Sequence, residues 1–226
     1  MKQGLFITLE GGEGAGKTTQ IKRIEELLNS HAIKTVVTRE PGGTPEAEKI
    51  RDLLVQRDGG NWSPEAETML FFTARHMHLR DLIKPALVQG KMVICDRFTD
   101  STRAYQCYGH GLNREFVEQV NRISIDGFSP DITFILDLPV KEGLQRSRNQ
   151  NSASDDTSES TEDRFENMDH TFHEKLRAGF LDIAKKNRDR CHVIDAMQSK
   201  DQITDQIFKI LETHLESRLE IGANNG

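Results

Sequence analysis

A chain of 226 residues has room for one large domain or two small ones, and an apolar fraction of 35% suffices for a buried core. Its formal net charge of −6 argues against a nucleic-acid polymer as partner, because such binders are rich in Lys and Arg; a local basic pocket for a small anion stays open. No run approaches the ~20 apolar residues of a membrane helix, so no membrane partner is expected.

Met1-Lys2-Gln3-Gly4 leads straight into the first strand candidate, Leu5 to Glu10, without the apolar core of a secretory signal. Gly11-Gly12-Glu13-Gly14-Ala15-Gly16-Lys17-Thr18 follows and fits the pattern G-x-x-x-x-G-K-[ST]. After Lys17, the residues Ile21, Ile24, Leu27 and Leu28 recur on one helical face. Thr35 to Thr38 reads as the second strand, Met92 to Cys95 as the third, Ile132 to Leu138 as the fourth and Cys191 to Ile194 as the fifth. Helical stretches separate them over Pro45 to Gln56, Ser63 to Gln89, Asn113 to Ile125, Val140 to Arg148, Asp169 to Asn187 and Asp201 to Leu219. Cys95, Cys107 and Cys191 are odd in number and widely spaced, with no metal-ligand pattern, which suits a reduced, cytoplasmic protein.

Near-continuous apolar strands suggest a parallel sheet covered on both faces. Strand and helix in alternation imply right-handed crossovers, so the expected fold class is α/β. It is a three-layer α/β/α P-loop NTPase fold with a five-stranded parallel sheet and a mobile lid. One domain is expected over 1–221, with a flexible tail over 222–226. The lid spans about 146–168 and contains a polar insertion, 149–163, with five acidic residues and no basic ones. Such a stretch buries too little apolar surface to offset its ordering entropy and reads as a mobile loop.

The chemistry concentrates at strand ends. Glycines in the loop let successive backbone N–H groups curl around phosphate oxygens, and the helix after it points its positive end at the same anion. Lys17 reaches the β- and γ-phosphates of ATP, and the Thr18 hydroxyl ligates Mg²⁺. Asp96 ends an apolar strand, as a metal-supporting carboxylate does. Arg97 beside it can clamp a phosphate through two N–H groups. Arg146, Arg148 and Arg164 flank the polar insertion and suit a lid that closes over a transferring phosphoryl group.

The chain resembles the bacterial thymidylate kinases over nearly its whole length. The matching segments are Leu9-Glu-Gly-Gly-Glu-Gly-Ala-Gly-Lys-Thr-Thr19, Thr38-Arg-Glu-Pro-Gly-Gly-Thr44, Leu70-Phe-Phe-Thr-Ala-Arg75, Asp96-Arg97, Ser101-Thr-Arg-Ala-Tyr-Gln106, Asp163-Arg-Phe-Glu166 and Ile194-Asp-Ala196. The resemblance implies transfer of the γ-phosphoryl group of ATP to dTMP, with Mg²⁺ and in a homodimer. It implies that Phe71 stacks on the thymine ring and Arg75 bonds a thymine carbonyl. Ser101, Thr102 and Gln106 line the same wall, and Tyr105 crowds the sugar 2′ position. Glu13 approaches the sugar 3′-hydroxyl or the metal shell, while Arg39 and Arg97 hold the acceptor phosphate.

Some members of that family place an arginine just after the loop acid, where this chain has Gly14. Catalytic positive charge is then expected from the lid, and the sequence resembles the lid-arginine subtype. The insertion is longer and more acidic than the usual linker. Another P-loop nucleoside monophosphate kinase is the near alternative, and a P-loop switch NTPase the distant one. A GTPase would need Asn-Lys-x-Asp and Asp-x-x-Gly elements, and the sequence has neither.

Overall fold

The computed structural model describes residues 4–55, 60–153 and 168–223. Five strands form one sheet: β1 (Phe6–Glu10), β2 (Thr35–Arg39), β3 (Met92–Asp96), β4 (Ile132–Asp137) and β5 (Cys191–Asp195). Their order is β2-β3-β1-β4-β5 and every pair is parallel. The chain moves to one side of β1 for β2 and β3, then to the other for β4 and β5. The crevice at this switch opens at the carboxyl end of β1, where open parallel sheets bind ligands.

Period-two alternation builds the layers. Leu5, Ile7 and Leu9 face one side, with Ile94, Phe134 and Leu136. There they meet Ile21, Ile24 and Leu28 of α1 (Lys17–Ser30) and Ile203, Ile207 and Leu211 near the C-terminus. Each such side chain, fully buried, contributes about 1.5–3 kcal/mol. Leu27 of the expected α1 face is only half-buried. Phe6, Val93 and Cys95 face the opposite layer with Phe72, Leu79, Ile83 and Val117. Ile135 continues that layer against Phe172, Leu176 and Phe180.

The remaining helices are α2 (Pro45–Val55), α3 (Pro64–His78), α4 (Lys84–Val88), α5 (Thr99–Thr102), α6 (Arg114–Ile125), α7 (Val140–Ala153), α8 (His170–Lys186) and α9 (Lys200–Ala223). Ser63 caps α3 by accepting from the Ala66 N–H, with Pro64 at the first turn. The single helix expected over Ser63 to Gln89 is one continuous helical path, interrupted by a π-turn at Leu79–Ile83. Pro85 cannot donate to the carbonyl four residues back, so the path widens just ahead of it.

Two expectations are corrected. α7 runs through Ala153, so 149–153 of the polar insertion is helical rather than loop. No Pro or Gly follows Arg148 to stop a helix already nucleated. The rest of the insertion, 154–163, lies outside the described residues, as do Arg164 and the other lid positions up to 167. Gly222 and Ala223 of the expected tail are likewise helical, as the end of α9, and 224–226 lie outside the described residues. Thr99 to Gly109 has no helical periodicity, yet it winds into α5 and then a π-turn at Arg103–Gly109.

Candidate active site

The loop after β1 turns through left-handed φ values at Gly14 (+66°) and Gly16 (+91°), open to glycine at little cost. At Gly14 the space is also closed: a Cβ would sit 2.1 Å from the Gly143 carbonyl oxygen of α7. No arginine fits there, which gives a steric reason for the residue noted in the sequence. The approach also locks α7 against the loop.

Glu13, Gly14, Ala15, Gly16, Lys17, Thr18 and Thr19 line a cavity of about 240 Å³ with Asp96, Arg97 and Ser147. Gly11 and Gly12 line a neighbouring pocket with Leu138, Gly143 and Arg177 rather than this cavity, and the Lys17 Nζ donates to their carbonyls at 3.3 and 3.1 Å. Burial lowers the Lys17 pKa and Arg97 adds to this, while Asp96, Glu13 and Glu10 oppose.

Arg97 adopts φ +67° at the end of β3. Its guanidinium donates to the Gly11 carbonyl at 3.0 Å, to Ser101 Oγ at 3.3 Å and to Glu13 Oε1 at 2.9 Å. It also lies over the Tyr105 ring, 5.2 Å from the centroid. The Tyr105 hydroxyl donates to the same Glu13 oxygen at 2.6 Å. Burial would raise the Glu13 pKa, but Arg97, then Lys17 and the Tyr105 bond, hold it down at about 2. Loop acid, arginine and tyrosine are thus one cluster.

A divalent cation has donors of the right kind. Asp96 Oδ1 is buried with no hydrogen-bond partner among the described residues, and Thr18 exposes its side chain into the same cavity. No group of three or more His, Cys, Asp or Glu side chains surrounds a metal site among the described residues. Mg²⁺ suits such a place, since it binds through one or two protein oxygens plus substrate phosphates and water.

A second wall runs along α3. Glu67, Phe71 and Arg75 are four apart and share one face. Gln106 Nε2 donates to Glu67 Oε2 at 3.1 Å, and Arg75 Nη2 donates to Thr102 Oγ1 at 3.0 Å. Phe71 between them is half-buried. The π-turn, not sequence periodicity, sends Gln106 to this face and Tyr105 to Glu13.

Other expected positions lie apart. Arg39 is exposed and donates to Glu48 Oε2 at 3.0 Å, outside the cavity lining. Arg146 donates to Glu142 Oε1 and to the Ala196 carbonyl, both at 3.1 Å. Arg148 is exposed on α7, and Arg164 lies outside the described residues.

Comparison with known proteins gives this geometry a family. The Thymidylate kinase family model matches residues 9–207. The thymidylate kinase of Desulfosudis oleivorans is 45% identical over 213 residues, covering 92% of this chain and 96% of that one. That of Caulobacter vibrioides is 44% identical over 215 residues, covering 95% and 99%. The chain belongs to the thymidylate kinase family. The crystal structure of the Ehrlichia chaffeensis thymidylate kinase superimposes with a TM-score of 0.72 at 37% identity, over 93% of this chain and 99% of that one.

Two residues of the site escape sequence reasoning. Ser147 lines the phosphate cavity because α7 approaches so closely at Gly143, one turn earlier. The spacing of two small residues by four is the faint signal. Glu10 is the other: it is wholly buried at the end of β1. Its Oε1 accepts the Phe98 N–H at 2.8 Å and its Oε2 the Ser101 hydroxyl at 2.5 Å. Burial, then Asp100 nearby, pushes its pKa up from 4.5 to about 7, against the Ser101 bond and Arg97.

The folded state therefore binds a proton at Glu10 that the unfolded chain releases above its ordinary pKa. Stability from this group is complete below about 4.5 and is lost as pH rises through about 7. Glu10→Gln is expected to remove that loss. In urea titrations from pH 5 to 8, its advantage over wild type should grow by on the order of 3 kcal/mol. A constant difference across that range would contradict the assignment.

Proposed function

We propose that this member of the thymidylate kinase family transfers the γ-phosphoryl group of ATP to dTMP, giving dTDP and ADP. The observation that carries the acceptor is a pair of unmatched buried atoms on the α3 wall. Arg75 Nη1, a donor, and Gln106 Oε1, an acceptor, have no hydrogen-bond partner among the described residues. A thymine edge offers the complement, a carbonyl beside an N–H, and Phe71 lies between as a stacking surface.

Both substrates are anions, so the work is alignment and charge neutralisation. The loop from Gly11 to Thr18 and Lys17 hold the donor phosphates. When bound through Thr18 and Asp96, Mg²⁺ neutralises donor charge and fixes its geometry. Arg97 holds the dTMP phosphate in line with the γ-phosphorus. Arg39 joins it by exchanging Glu48 for that phosphate. One acceptor oxygen, ionised near neutral pH, attacks the γ-phosphorus. The bond to the bridging oxygen breaks and its electron pair leaves on ADP, so no strong general base is required. Arg146, Arg148 and Arg164 meet the spreading charge from the lid, about 146–168, of a single domain over 1–221. Tyr105, held against Glu13, crowds the sugar 2′ position and disfavours ribonucleotides.

We propose further that the enzyme is a cytoplasmic homodimer. Three free thiols suit a reducing compartment. Met69 on α3 and Ile123 on α6, 50% and 87% exposed, suit an apolar contact between copies. A coupled ADP-release assay with dTMP, dUMP, UMP and CMP as competing acceptors tests the function. The highest kcat/KM is expected for dTMP. A preference for UMP or CMP would overturn the acceptor assignment and leave the phosphotransferase family standing.

A further inference from the structure

We propose that Glu40 and His78 are positioning residues for the acceptor base: they hold Arg75 so that its one spare donor reads a ring carbonyl. The proposal rests on the base-binding reading of Arg75 given above. All three side chains are buried, with Arg75 2% exposed. Arg75 Nε donates to Glu40 Oε2 at 2.6 Å, and His78 Nδ1 donates to Glu40 Oε1 at 3.0 Å. The carboxylate can only accept, so Nδ1 carries the proton. His78 Nε2 is hydrogen-bonded with Thr38 Oγ1 at 2.7 Å, so both ring nitrogens are held.

Both Glu40 oxygens are thereby committed, and the guanidinium has one orientation. Phe72 and Phe98 each lie close to it, with Arg75 Cζ 4.7 and 5.0 Å from their ring centroids. Thr102 takes Nη2, and Nη1 is left over. The backbone after β2 is shaped to this arrangement. Gly43, at φ +87°, passes so close that a Cβ there would sit 2.4 Å from His78 Nε2. Such a fixed donor bonds a carbonyl at ring position 4 and meets an amino group there with donor against donor. Freed from Glu40, the guanidinium could turn and accommodate either.

The test compares kcat and KM for dTMP and dCMP in the full chain and in Glu40→Gln, His78→Gln and His78→Asn. An asparagine amide can replace the Nδ1–H facing Glu40, whereas a glutamine reaches only the Nε2 position beside Thr38. Glu40→Gln and His78→Gln are expected to raise KM for dTMP about tenfold and to narrow the dTMP-over-dCMP ratio of kcat/KM by a similar factor. Their kcat and KM for ATP should stay within about threefold of wild type, and His78→Asn should keep the ratio. A role in stability alone would lower the melting temperature and active fraction without moving that ratio. Folded Glu40→Gln and His78→Gln with the wild-type ratio would overturn the proposal, as would equal losses in both His78 variants. If Glu40→Gln does not fold, the His78 pair decides. A wild type without preference for dTMP would instead overturn the acceptor reading beneath it.

Discussion

Lys17→Ala is expected to lower kcat by on the order of a thousandfold or more while the protein stays folded. The amine sits inside the phosphate cavity, 8% exposed, with the Gly11 and Gly12 carbonyls as its hydrogen-bond acceptors. Those carbonyls can take water in its place, because the cavity of about 240 Å³ is open, so the melting temperature should change little. Catalysis has no such substitute. The charge on the transferring group grows toward the β–γ bridge, where a desolvated ammonium acts through a low dielectric. Water brought in by the truncation screens that field and adds no charge. Lys17→Arg is expected to rescue poorly, since a planar guanidinium does not fit a cage shaped for a point charge. The coupled assay at saturating ATP and dTMP, with circular dichroism on the same samples, checks both halves. Turnover within tenfold of wild type would remove Lys17 from the catalytic set.

Fold and loop were legible in the chain because both are local. The strands from Leu5 and from Ile132 are apolar runs of the right length, and the loop is contiguous. Both occupy the expected places, down to the five-stranded parallel sheet. The family motifs also named residues that gather: Glu13, Arg97 and Tyr105 come from three segments and meet through two hydrogen bonds. What stayed hidden depends on distance through space. Glu10 looks like the last residue of a strand until burial and Asp100 set its proton affinity. His78 looks like one more residue of a helical repeat, and only folding lays the Glu40 carboxylate against it. The bend that brings in Tyr105 and Gln106 is a π-turn, which has no periodicity to find. Arg39 shows the converse. Its motif is specific, yet its guanidinium rests on Glu48, outside the lining of the phosphate cavity.

Arg97 combines charge and backbone strain, and two substitutions separate them. Arg97→Ala and Arg97→Gly both remove the guanidinium that bridges the Gly11 carbonyl, Ser101 and Glu13. Both are expected to lower kcat/KM for dTMP about 10²- to 10³-fold, with a smaller effect on KM for ATP. Stability should divide them. A φ of +67° costs an alanine roughly 1 kcal/mol and costs glycine almost nothing. Arg97→Gly should therefore melt above Arg97→Ala while being equally inactive. Both variants also leave Glu13 with its strongest neutralising neighbour gone. Its pKa, held at about 2 in the wild type, should climb. A depressed carboxylate contributes stability that is present above its unfolded pKa and lost as pH falls through the folded one. Wild type should thus resist acid further than either variant, with the gap between them closing from pH 5 to pH 2. Equal acid midpoints for all three would mean that Arg97 does not set the charge state of Glu13. Near-normal kcat/KM in the glycine variant would mean that the strained arginine is there for the backbone and not for the acceptor phosphate.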